Sequence, residues 1–295
     1  MAPRPQISAF FDECTSSVSY LVADPETRQA AVIDPVLDYH VASGEVDTRS
    51  AETMLAAAKE QGLSIVLVLE THAHADHLSA APLFKARTGA KIAIGAGIRD
   101  VQKVFRPMFA ADDVKDDGGD FDLLLEDGER VPLGNLTIEV IATPGHTPAC
   151  VSYKIGDAVF VGDTLFMPDY GTARTDFPGG CARQLYRSIH KLLSLPPETR
   201  LFMCHDYKAP GREEFAWETT VAEERTKNVH IHAGVCEDDY VAMREERDSK
   251  LSAPRLLLPA IQVNIRAGRF PPAEANGVRY LKIPVKAASF SDADR

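Results

Sequence analysis

Over the first two-thirds of the chain, apolar residues fall into short runs, each closed by a turn-forming residue. "SVSYLVAD", "QAAVIDP", "SIVLVLE", "KIAIG", "LTIEVIAT", "CVSYKIG" and "DAVFVGD" are rich in Val and Ile and bounded by Gly, Asp or Pro, which predicts a β-strand at each. Between them the spacing turns helical. A helix is expected from Ser50, as N-cap, to Gly62, and another from Ser79 to Gly89, where Pro82 is tolerated only in the first turn. The clearest helix is "CARQLYRSIHKLLSLPP": Leu185, Ile189, Leu192 and Leu193 recur on one face, and Pro196–Pro197 stop it. "RLFMCHDY" reads as one more buried strand.

Residues 111–129, "ADDVKDDGGDFDLLLEDGE", repeat no ligand spacing and read as a solvated acidic loop. Past residue 210 the texture changes to charged helical stretches, "FAWETTVAEERTKNVHI" and "EDDYVAMREERDSKL", and a Pro-rich tail. Strands alternating with helices define an α/β chain. The expected organisation is a main domain over residues 1–210 and a small helical extension, residues 211–295, packed on it.

The 295 residues suffice for a substantial core. A net charge of −11 argues against nucleic acid as a partner, since gripping phosphates takes clustered Lys and Arg. The apolar runs are far shorter than a membrane span. The N-terminus has no basic segment followed by a long apolar one, so no secretory signal is expected. Cys14, Cys150, Cys181, Cys204 and Cys236 are odd in number and form no CxxC pair, which predicts free thiols and a cytoplasmic protein.

The chemistry concentrates in "LETHAHADHLSA", which carries His72, His74, Asp76 and His77 as H-x-H-x-D-H between an expected strand and an expected helix. In an extended segment His72 and His74 project to one side, and a loop at a strand end is where sites form in α/β folds. Three more candidates follow apolar strands: His146 in "ATPGHTPAC", Asp163 in "VFVGDTLF" and His205 in "FMCHDY". Each alone is weak. In this order they form a set that can converge on one rim. "VHIH" at 229–232 has ligand-like alternation but no nearby partners, and His190 lies within the amphipathic helix; both read as structural. So does Cys181, which has nothing beside it to activate a thiol.

These motifs resemble the metallo-β-lactamase superfamily over about residues 15 to 210. The resemblance implies an αββα sandwich, two mixed β-sheets flanked by helices. It also implies one of two metal sites. In hydrolases similar to glyoxalase II, His72, His74, His146 and Asp163 would hold one zinc, and Asp76, His77, His205 and a bridging Asp163 the other, for glutathione thioester hydrolysis. In persulfide dioxygenases the ligands map onto His72, His146 and Asp163 and hold one Fe(II) per chain. His74, Asp76, His77 and His205 then support those ligands from behind, as remnants of the second-metal site. "RTDF" at 174–177, "EERTKN" at 223–228 and "VNIRAG" at 263–268 resemble the dioxygenase versions of these segments. The implied reaction takes glutathione persulfide, O2 and water to glutathione and sulfite. Arg174, Tyr207 and Arg266 are the expected substrate contacts. Relatives of this kind also form homodimers.

Overall fold

The computed structural model describes residues 4–285. Along the chain run β1 (Gln6–Asp12), β2 (Ser17–Ala23), β3 (Gln29–Ile33), β4 (Val36–His40), β5 (Glu45–Asp47), α1 (Arg49–Glu60), β6 (Ser64–Glu70), β7 (Leu78–Ser79), α2 (Ala81–Thr88), β8 (Lys91–Gly95), α3 (Ile98–Met108) and β9 (Leu123–Leu125). The second half holds β10 (Arg130–Leu133), β11 (Leu136–Ala142), β12 (Val151–Ile155), β13 (Ala158–Phe160), α4 (Ala182–Leu193), β14 (Arg200–Phe202), β15 (Glu218–Thr220), α5 (Val221–Lys227), α6 (Glu237–Asp248) and α7 (Leu257–Asn264).

Two six-stranded sheets have the orders β1-β2-β3-β6-β8-β9 and β10-β11-β12-β13-β14-β15, and β5-β4-β7 form a small third sheet. Both six-stranded sheets are mixed: β3, β6, β8 and β9 run parallel, β1, β2 and β3 antiparallel, and β13–β14 is a parallel pair in an otherwise antiparallel sheet. Alternation explains the layers. On β2, Val18, Tyr20 and Val22 join Tyr153, Ile155 and Phe160 between the sheets. Leu21 and Ala23 face the other way, onto a cluster with Met54, Phe84, Val101, Phe105 and Ile261 from the helices. Outside the second sheet, Val159 and Leu201 pack against Leu185, Ile189 and Leu192 of α4 and Tyr240 of α6. This is the αββα sandwich, with helices on the outer side of each six-stranded sheet and the β10–β11 end of the second sheet open, where Arg130, Glu139 and Lys154 lie side by side.

Local departures have physical reasons. Helix α1 begins one residue before Ser50, and its first turn is capped from outside: Asp38 accepts both the Ser50 N–H at 2.9 Å and the Ser50 hydroxyl at 2.8 Å. Gly89 closes α2 in the left-handed region at φ 75°, where a side chain is disfavoured. Segment 215–231, read as helical, opens with a strand, because β15 pairs with β14 before α5 starts. Residue 210 is no break in the core: β15 completes the second sheet, and Leu256, Ala260 and Ile261 share a cluster with Phe84. The acidic segment is not a bare solvated loop either. Val114 and Phe121 are buried, Asp113 pairs with Arg266 at 2.7 Å, and Asp120 pairs with Arg269. Among the described residues no helix is long and apolar enough to cross a membrane.

Candidate metal centre

Strand β6 delivers the histidine loop to the rim between the sheets, and buried groups fix its shape. Asp34, just after β3, accepts the Thr71 N–H at 2.7 Å, the Thr71 hydroxyl at 2.8 Å and His74 Nε2–H at 3.0 Å. From α7, Asn264 donates to the carbonyls of His74 and His77 and accepts the Ser79 N–H. The Thr71 hydroxyl proton is committed to Asp34, so His72 Nδ1–H donates to Thr71 Oγ1 at 3.0 Å. The His72 lone pair therefore sits on Nε2 and points at the rim.

His146 and Asp163 arrive through glycine turns. Gly145 has φ 139°, and a Cβ there would lie 2.3 Å from the Leu185 nitrogen. Behind His146, Nδ1–H donates to the Arg174 carbonyl at 2.7 Å, which leaves Nε2 facing Asp163. Asp163 lies in the 3₁₀ turn Gly162–Thr164. Its Oδ2 is 3.8 Å from His72 Nε2 and 3.5 Å from His146 Nε2, and its Oδ1 is 3.3 Å from His205 Nε2.

One ligand atom each from His72, His146 and Asp163 lies within 4.8 Å of the others. His72 Nε2, Asp163 Oδ1 and His205 Nε2 are buried without a hydrogen-bond partner. Buried polar atoms left unpaired are costly. Their convergence fits a cation that accepts nitrogen and carboxylate donors. Burial, reinforced by the His74 and His146 imidazoles, holds His72 well below the ordinary histidine range, so it is neutral and able to ligate.

The remaining motif residues are differently engaged. Burial opposes charge on His74, but Asp34 and Glu70 outweigh it and raise the imidazole well above its usual value. Asp76 Oδ2 accepts from Ser17 at 3.0 Å and from His77 Nδ1 at 2.9 Å. Burial alone would raise the Asp76 carboxyl, and His205 and His77 together hold it well below the usual range. His205 Nδ1 bonds the Ser16 carbonyl, which orients Nε2 between Asp76 and Asp163.

In front of the ligands opens a cavity of about 430 Å³. His146 and Asp163 reach its wall, with Phe166, Phe177, Leu251 and Leu256 as apolar lining. Arg174 and Tyr207, two of the expected substrate contacts, lie on its wall, and the Tyr207 ring stacks on His205 at 5.4 Å. Arg266 does not. It is buried, with Nη2 2.7 Å from Asp113 and Nη1 on the Gln262 carbonyl, so an ion pair has taken the charge assigned to substrate. Cys181 is exposed at the start of α4, outside the lining.

Residues missed by sequence reasoning hold the loop 169–180. Buried Arg244 bonds Asp248 through Nε and Nη2 and the Thr172 carbonyl through Nη1. The other Asp248 oxygen accepts the Thr175 N–H at 2.8 Å. On the far side, Asn228 bridges the Gly171 carbonyl and Glu224. His230 of "VHIH" accepts the Thr172 N–H, a structural role as read. Burial pushes the Glu224 carboxyl up to about 8. The folded state thus keeps a proton that the unfolded chain, at 4.5, releases. Between those pH values stability should fall as pH rises, by up to about 1.4 kcal/mol per unit. Glu224→Gln should flatten that slope in denaturant titrations run from pH 5 to 8, and an unchanged slope would reject the assignment.

Residues 12–205 match the Metallo-beta-lactamase superfamily, and the chain belongs to it. A particular kinship is narrower. The chain is 53% identical over 292 residues to a probable metallo-hydrolase of Burkholderia pseudomallei, covering 95% of this chain and 99% of that protein. It is 32% identical over 261 residues to the human mitochondrial persulfide dioxygenase ETHE1, covering 88% and 87%. The crystal structure of ETHE1 from Myxococcus xanthus superposes with a TM-score of 0.72 at 32% identity, over 90% of this chain and 100% of that one.

Proposed function

We propose that the protein is a mononuclear iron persulfide dioxygenase that oxidises glutathione persulfide with O2 to sulfite and glutathione. One observation carries the reading. His72, His146 and Asp163 converge as two imidazoles and one carboxylate beside an open cavity, while one oxygen of Asp76, Oδ2, accepts hydrogen bonds from Ser17 and His77. His72, His146 and Asp163 would hold ferrous iron, which would supply oxygen activation there. The chain's own residues do the rest. Thr71 and the Arg174 carbonyl fix the tautomers of His72 and His146. Phe166, Phe177 and Leu256 exclude water from the place where sulfur enters. The relatives at 32% identity support this chemistry. Among the described residues all five cysteines are unpaired, which suits a reducing cytoplasm.

A second reading, a dinuclear zinc glutathione thioesterase, is favoured by the buried, unpartnered His77 Nε2, His205 Nε2 and Asp163 Oδ1, three of the groups assigned to a second ion, together with His74 Nδ1, and by the hydrolase description of the 53% relative. The two readings separate in an oxygen electrode. Addition of glutathione persulfide should consume O2 and release sulfite in equal amounts. Hydrolysis of a hydroxyacyl-glutathione without oxygen uptake would sink the proposal.

A further inference from the structure

The cavity before the metal ligands holds more positive charge than oxidation of a persulfide requires. Arg174, Arg244, Arg247 and Arg255 line it, in a chain of net charge −11. Two of these are committed. Arg174 grips Asp176 with Nε at 2.6 Å and Nη2 at 2.7 Å, and its Nη1 bonds the Ser252 carbonyl. Arg244 is buried on Asp248 and the Thr172 carbonyl. The other two differ. Arg247, on the last turn of α6, and Arg255, in the turn before α7, are both exposed, and neither donates a side-chain hydrogen bond or forms an ion pair among the described residues. The acid next to Arg247, Glu246, pairs instead with Lys250 at 2.7 Å.

The cavity also continues. A second one, of about 390 Å³, shares Cys14, Thr15, Arg255 and Leu256 with the first, so Arg255 stands where the two meet. An extended tripeptide spans roughly 10 Å, more than the space beside one sulfur atom. We propose that Arg247 and Arg255 hold the carboxylates of a tripeptide-length thiol carrier whose sulfur points toward His72, His146 and Asp163. Guanidinium groups suit this task because their planar donors meet carboxylates two at a time. The inference rests on the reading that the site acts on a thiol carrier, and it holds whether that carrier's sulfur is oxidised or its thioester hydrolysed.

The test uses metal-loaded protein and glutathione itself, titrated without oxygen by calorimetry. Arg247→Ala and Arg255→Ala should each weaken glutathione about tenfold. KM for the persulfide should rise in step, with kcat within about twofold, and Arg→Lys should recover part of the loss. Glutathione monoethyl ester, which lacks the glycyl carboxylate, should bind the wild type more weakly than glutathione does. In one of the two alanine variants, ester and parent should bind alike, which assigns that carboxylate to the removed arginine. Unchanged glutathione affinity in both variants overturns the proposal. So does coenzyme A binding tighter than glutathione and losing more in the variants, since the pair would then serve phosphate. A protein that takes up no oxygen yet shows the glutathione pattern loses the dioxygenase reading and keeps the arginine pair.

Discussion

Asp163→Ala protein should fold, carry almost no metal and turn over at least roughly a thousandfold more slowly than the wild type. The reason lies in the charge of the site. Asp163 is the sole carboxylate in a triad with His72 and His146, and its Oδ2 faces both Nε2 atoms. Without it two neutral imidazoles remain, and neutral imidazoles alone hold ferrous iron weakly. His205 touches the other oxygen of Asp163 and supports the triad from behind. His205→Ala should therefore keep its metal and lose activity by about ten- to a hundredfold, the range for groups that orient a ligand. Metal analysis beside oxygen-uptake rates on the two variants checks both statements. Loss of half the metal in His205→Ala would mean that His205 binds an ion of its own.

The second large effect is on stability. Arg244→Met should cost about 3–5 kcal/mol, because it strands the Asp248 carboxylate in a buried position. The damage should also reach the centre. Asp248 holds Thr175, and the adjacent Arg174 carbonyl accepts the hydrogen bond from His146 Nδ1–H. A loosened loop leaves His146 without its orienting acceptor, so iron affinity should fall together with the denaturation midpoint. In Arg244→Met/Asp248→Asn no buried charge remains and an amide oxygen still accepts from Thr175, so most of the stability should return. Urea titration and iron binding on the single and double variants test the pair. A single variant as stable as the wild type would show that the ion pair contributes little.

What could be read from the sequence follows how local the signal is. The inter-sheet strands announce themselves because β2, β3 and β6 carry apolar residues on two buried faces, while β11 and β12 place Ile138, Val140, Val151 and Ile155 on the single face turned to the other sheet. Helix α4 shows its face through Leu185, Ile189 and Leu192. Helix α3 carries a similar signal, Ile98, Val101 and Phe105, hidden between charged residues and cut short by Pro107. The seven motif residues were legible because ligand chemistry demands particular side chains at particular turns. Their partners were not. Asp34 looks like the end of a strand, and Asn264 like one polar residue in a C-terminal tail, yet together they shape the histidine loop. Arg266 shows the limit from the other side: an arginine in a suggestive motif was available to any carboxylate, and Asp113 reached it first. Only long-range packing decides such pairings.

The most direct test of a single-iron oxygenase is to reload metal-free protein with ferrous iron in steps, without oxygen, and then read persulfide-dependent oxygen uptake at each step. Uptake should rise linearly and level off at one iron per chain. A plateau at two ions per chain, or no uptake at any loading from a protein that hydrolyses glutathione thioesters when given zinc, would contradict the account.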